Sequence, residues 1–159
     1  MILNPLDHLA IHVADRQAAE KTVSELLGHT RVQEMRLPCN EGTAHLSVMM
    51  EHGDRFHLVL CEGDGPSHPI TQWVETRGPG VHHLAHRVDL LEQSLQNVVQ
   101  GGGESVGSIV EADGLKQVFT TVSEDGILHE ITQRAEKRRF VEGNTAKLIA
   151  IGASVDPVK

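Results

Sequence analysis

Residues 7–15, Asp7-His8-Leu9-Ala10-Ile11-His12-Val13-Ala14-Asp15, align with His82-His83-Leu84-Ala85-His86-Arg87-Val88-Asp89-Leu90, matching His, Leu, Ala and Val at one constant offset. Such self-similarity marks two copies of one structural unit. Each copy opens with a strand-like run, passes into a helical pattern, and continues through three strand-like segments separated by Gly- and Asp-bearing turns. The predicted order is βαβββ, twice. In copy one the strand is Leu6 to Val13 and the helix runs from Arg16 to Leu27, with Ala19, Val23, Leu26 and Leu27 as its apolar stripe and Gly28 as its stop. Strands are then expected over His29 to Arg36, Thr43 to Met50 and Arg55 to Cys61. Copy two has its strand over Val81 to Val88. Its helix spans Leu90 to Val99, with a stripe of Leu91, Leu95, Val98 and Val99, and its later strands span Glu104 to Val110, Leu115 to Thr121 and Ile127 to Gln133. A turn-rich linker and a short helix over Ile70 to Glu75 join the copies, and the tail after Arg134 resembles neither.

The expected fold is α+β, with paired βαβββ modules forming a curved mixed sheet around a metal cavity. Its division is a single domain over residues 1–159: module one 5–62, linker 63–79, module two 80–134 and a C-terminal tail 135–159. The metal follows from strand parity. Residues two apart share a face, so His8 lies with Leu6 and Ala10 while Leu9, Ile11 and Val13 face the helix. His83 lies likewise with Val81 and Ala85, and Glu130 with Leu128 and Thr132. Each repeat thus aims one His away from its helix, and Glu130 can join them from a third strand. A carboxylate set in Ile127-Leu128-His129-Glu130-Ile131 is costly to bury unless it is paired or metal-bound, so a salt bridge is the competing reading. Two neutral imidazoles and one carboxylate with open positions suit non-haem Fe(II), with Mn, Co, Ni and Zn as alternatives.

The chain has 159 residues and a formal charge of −8, and its longest basic block is Lys137-Arg138-Arg139. That balance argues against nucleic-acid and anionic-membrane partners and leaves a small-molecule substrate. No basic n-region followed by an apolar run opens the sequence, and Cys39 and Cys61 lie in no CxxC or Cys/His knuckle, so the expected location is the cytoplasm and both thiols read as inert. His12, His29, His52, His68 and His86 read as ordinary strand or loop histidines; His57, on the last strand of copy one, is a further candidate ligand. Exposed sheet edges predict a homodimer.

Leu6-Asp7-His8-Leu9-Ala10, Gly80-Val81-His82-His83-Leu84-Ala85 and Leu128-His129-Glu130-Ile131-Thr132-Gln133-Arg134 resemble the ligand strands of the vicinal oxygen chelate superfamily, which holds glyoxalase, dioxygenase and bleomycin-resistance branches. The second half is similar to the C-terminal half of the 4-hydroxyphenylpyruvate dioxygenase branch. Leu115-Lys116-Gln117-Val118-Phe119-Thr120 resembles its Leu-Leu-Gln-Ile-Phe-Thr, and Arg139-Phe140-Val141-Glu142-Gly143-Asn144-Thr145 its Gly-Phe-Gly-x-Gly-Asn-Phe. The resemblance implies iron on His8, His83 and Glu130, with Gln117 facing the bound substrate and Phe119 and Phe140 contacting it. Thr145 stands where that branch has a second phenylalanine, and Cys61 where it has asparagine. Glyoxalases and epimerases of the superfamily use a fourth ligand where this chain has Val59, and His45 is the nearest match to the epimerase base. Three functions follow in order: an Fe(II) dioxygenase acting on a small 2-oxo acid or related bidentate oxygen substrate; a glyoxalase- or epimerase-like catalyst using His45 or His57 as base; and a metal-free drug-binding protein of the bleomycin-resistance type.

Overall fold

A computed structural model describes residues 6–50, 57–121, 124, 126–134, 140–153 and 155. Its elements run β1 (Leu6–His12), α1 (Arg16–Leu27), β2 (Thr30–Cys39), β3 (Gly42–Met50), β4 (His57–Asp64), α2 (Pro69–Arg77), β5 (Gly80–Arg87), α3 (Leu91–Gln100), β6 (Ser105–Ala112), β7 (Leu115–Thr120), β8 (Leu128–Arg134) and α4 (Glu142–Ala153). The fold is α+β and the βαβββ order occurs twice. Two compact units result, one of His8–His82 and one of His83–Lys159 together with Met1–Asp7. No helix among the described residues is long and apolar enough to cross a membrane.

In the His8–His82 unit, β2 pairs antiparallel with β3, β3 antiparallel with β4, and β4 parallel with β1. Its core sits where Leu9 and Ile11 meet Met49, Leu58 and Leu60 under Ala19 and Val23 of α1, the side that alternation assigns to the helix. Asp15 caps α1 by accepting from the Ala18 N–H at 2.9 Å, and Gly28 ends it in the left-handed region at φ 69°. The expected stripe extends too far: Leu26 and Leu27 are exposed. The buried first residue, Arg16, ties the helix down instead. Its backbone N–H donates to Glu62 at 2.5 Å, and its guanidinium engages Ser47, Glu20 and Glu34. Of the strand expected from Arg55, the part over residues 55–56 lies outside the described residues.

The other unit repeats the pattern: β6 pairs antiparallel with β7, β7 antiparallel with β8, and β8 parallel with β5. Leu91, Leu95 and Val98 of α3 pack on Val118 and Ile131, whereas Val99 is exposed. The tail adds an element that periodicity did not announce. Helix α4 lays Leu148 and Ile151 on Val106, Val110, Phe119 and Leu128. It can approach because β6 bulges between Val106 and Val110 at Gly107 (φ 74°), where a Cβ would stand 2.9 Å from an Ile151 methyl.

The linker between copies is more ordered than its turn residues suggest. Strand β4 continues to Asp64, and α2 opens with Pro69 behind His68, whose Nδ1 accepts from the Ile70 N–H at 3.1 Å. The His68 ring is fully buried against Gly63, where a Cβ would lie 2.5 Å from Nδ1. Burial pushes His68 below its ordinary value of 6.5; Glu41 and Asp64 oppose the shift and His45 adds to it. A value lower in the folded than in the unfolded protein means that the unfolded chain binds more protons. The stability that His68 contributes is therefore complete above pH 6.5 and is lost as the pH falls through its lowered folded value. Replacing His68 by Asn keeps a capping acceptor and is expected to flatten the fall in unfolding free energy between about pH 7.5 and 5.5. Denaturant titrations at the two pH values check this, and an unchanged fall would remove His68 from the account.

Candidate metal centre

Strand β8 sorts its side chains by alternation. Ile131 goes to the α3 side, and Glu130, between Leu128 and Thr132, goes to the other. Glu130 is 1% exposed, and its two oxygens have different company. Oε1 accepts from Gln117 Nε2 at 2.8 Å and from Thr132 Oγ1 at 2.5 Å. Oε2 lies 3.3 Å from His83 Nε2. Register explains the convergence: Ala85 pairs with Glu130 and His83 with Leu128 along β5, while Gln117 pairs with Thr132 and Phe119 with Glu130 along β7. Side chains of paired and diagonal residues share a face.

Gln117, expected to face a substrate, is 1% exposed and turned toward Glu130. Phe119 is buried in the core beneath α4, and its ring meets His83 edge-on with centroids 5.0 Å apart. Phe140 is buried too, with the Arg134 guanidinium 4.6 Å above its ring. Arg134 also closes a two-pronged pair with Asp7, both bonds 2.7 Å long. Asp7 is the residue next to His8 in the chain.

His8 belongs to the other unit, where it is 2% exposed and pairs with His57; Ala10 pairs with Val59. The same relation holds in the second copy, His83 with Leu128 and Ala85 with Glu130. Val59 is therefore the positional equivalent of Glu130, and His57 that of Leu128. His45 lies on β3 with its ring 3.7 Å from Asp64. His86 and His129 bring Nε2 and Nδ1 to 2.8 Å, and burial, then the nearby His129, pushes His86 down. Burial pushes the Cys61 thiol up to about 12, so it is an inert thiol; Cys39 is exposed. Alternation groups Thr132 with Glu130 without assigning it a task, and Asp7, Arg134 and Asn144 stand within the stretches that carry the resemblance with no task that local pattern assigns them.

Residues 7–119 match the family model described as Glyoxalase/Bleomycin resistance protein/Dioxygenase superfamily. The chain belongs to this superfamily. The match bears out the resemblance at the level of the superfamily, one of metal-dependent enzymes, and takes in the strands of His8 and His83. No curated protein matches the chain. Among solved structures, methylmalonyl-CoA epimerase from Mycobacterium tuberculosis is 25% identical, with a TM-score of 0.71 over 85% of this chain and 91% of that one. A hypothetical protein from Bacillus halodurans is 26% identical, with a TM-score of 0.72 over 86% of this chain and 99% of its own. A variant of 4-hydroxymandelate synthase from Streptomyces coelicolor gives a TM-score of 0.83 at 20% identity, a likeness of fold. It covers 93% of this chain, which spans 53% of that synthase. Within the superfamily member described here, His83 and Glu130 offer a nitrogen and an oxygen side by side, the donor types that a borderline divalent cation accepts.

Proposed function

We propose that His8, His83 and Glu130 bind one divalent metal ion, Fe(II) in the first place with Mn, Co, Ni and Zn as alternatives, and that the protein is a dioxygenase acting on a small 2-oxo acid or related bidentate oxygen substrate. The observation that carries the reading is the buried Glu130 carboxylate. One of its oxygens receives two donors, and the other is turned to a histidine nitrogen. Hydrogen bonds of this kind aim a ligand and hold it for a metal. His8 enters by repeat symmetry with His83, and its chain neighbour Asp7 is gripped by Arg134, four residues past Glu130 on β8. Val59 at the position equivalent to Glu130 supports three protein ligands rather than four. Once bound, the ion supplies Lewis acidity toward substrate oxygens and a place for O₂. The protein's own share is to hold Glu130 through Gln117 and Thr132, to brace the His83 ring with Phe119, and to border the substrate with Phe140. A cytoplasmic homodimer completes the proposal, and a sedimentation mass near 17.4 kDa would remove the dimer.

An epimerase-like reaction is the second reading, favoured by the likeness to methylmalonyl-CoA epimerase at 25% identity. One pair of assays separates the two. Protein purified without oxygen and without a nickel column is loaded with Fe(II) and offered a panel of 2-oxo acids, and oxygen uptake is expected with at least one. If none is consumed, yet Co(II) protein exchanges a substrate α-proton for solvent deuterium, the epimerase-like reading replaces the first. His45 and His57 are then the bases to test.

A further inference from the structure

Asn144, in the first turn of α4, is 1% exposed although nothing in the proposed ligand set requires it. Its Nδ2 donates to the Leu115 backbone carbonyl at 3.0 Å and, at 3.5 Å, to Gln117 Oε1. A carbonyl can only accept, so Leu115 fixes which end of the Asn144 amide faces β7. Because the Asn144 amide presents N–H groups there, Gln117 must present its oxygen. The Gln117 NH₂ is then left for Glu130 Oε1, 2.8 Å away. The amide orientations in this run are fixed at both ends, by the Leu115 carbonyl and by the Glu130 carboxylate, neither of which can donate.

Asn144 Oδ1 is buried and has no hydrogen-bond partner among the described residues. The donor half of the side chain is the half in use.

We propose that Asn144 is a positioning residue that acts on Glu130 through Gln117, occupying Oε1 with donors so that the carboxylate offers the metal one oxygen, Oε2. Helix α4 thereby sets how the carboxylate binds. The proposal rests on the reading of Glu130 as a metal ligand. It concerns how the carboxylate is oriented, whatever ion is bound and whatever reaction follows.

The experiment is a double-mutant cycle read by Co(II) titration and the visible spectrum of the Co(II) protein. Asn144→Leu is expected to weaken Co(II) binding on the order of tenfold, the lower end of what losing a ligand's hydrogen-bond partner costs. It should also change the Co(II) absorption band, because a freed carboxylate can bind through both oxygens. Gln117→Leu should do the same. Adding Asn144→Leu to Gln117→Leu should weaken binding no further, since the path through Gln117 is already cut. Equal losses from Asn144→Leu in both backgrounds, or an unshifted Co(II) band, overturn the relay and leave the metal site standing. Co(II) binding that survives Glu130→Ala, or is absent from the unchanged protein, overturns the metal site and the relay together. If Asn144→Leu does not fold, Asn144→Ala takes its place in the cycle with the same expectations.

Discussion

Glu130→Ala protein, isolated without oxygen and without a nickel column, is expected to carry no stoichiometric metal, and His83→Ala and His8→Ala should behave alike. Loss of a ligand removes a bond to the ion itself, so the effect should exceed the 10- to 100-fold that follows loss of a ligand's hydrogen-bond partner. Glu130 makes the sharpest case because its surroundings are built for an anion: Gln117 and Thr132 both donate to Oε1, and His83 Nε2 stands 3.3 Å from Oε2. Elemental analysis of the purified variants decides the matter. Full stoichiometric metal in His83→Ala would sink the assignment, and metal lost only on changing His57 would show that the neighbouring strand residue is the ligand. Gln117→Ala should behave differently from the ligand variants, keeping part of its metal, because it holds Glu130 and donates nothing to the ion.

Arg134→Ala is expected to be the most destabilising single change outside the apolar core. The Arg134 and Asp7 side chains are each 3% exposed, and two bonds of 2.7 Å join them. An exposed pair contributes little, but removing one partner of a buried pair strands the other's charge and costs about 3–5 kcal/mol. In a chain of this size that corresponds to a fall in Tm on the order of 10 °C. The cation over the Phe140 ring goes with it. Thermal and denaturant unfolding measure the loss, and a change below about 1 kcal/mol would place the pair with solvent-screened ones. Replacing both partners by apolar residues of similar volume should recover most of the stability, since that substitution leaves no charge stranded. Asp7 precedes His8 directly, so Arg134→Ala should weaken metal binding as well, though by less than loss of a ligand.

The repeat that opens at His8 and His83 determined the module order, and with it the α+β fold, because strand and helix periods differ and each copy switches between them at matching places. Alternation alone also put Glu130 and Thr132 on one face of β8 and Ile131 on the other, as the packing on α3 shows. These are one-dimensional facts, set by the geometry of a single strand. Everything that needed a second strand or a later helix was decided by tertiary structure. The pairing of Ala10 with Val59 and of Ala85 with Glu130 depends on hydrogen-bond register, which local pattern does not specify. The exposure of Leu26, Leu27 and Val99 depends on what each helix meets. The grip of Arg134 on Asp7, far apart in the chain, and the donation from Asn144 to Gln117 join groups with no spacing rule between them. Helix α4 docks because Gly107 lacks a side chain where Ile151 must approach, a fit between two segments that neither sequence reveals alone.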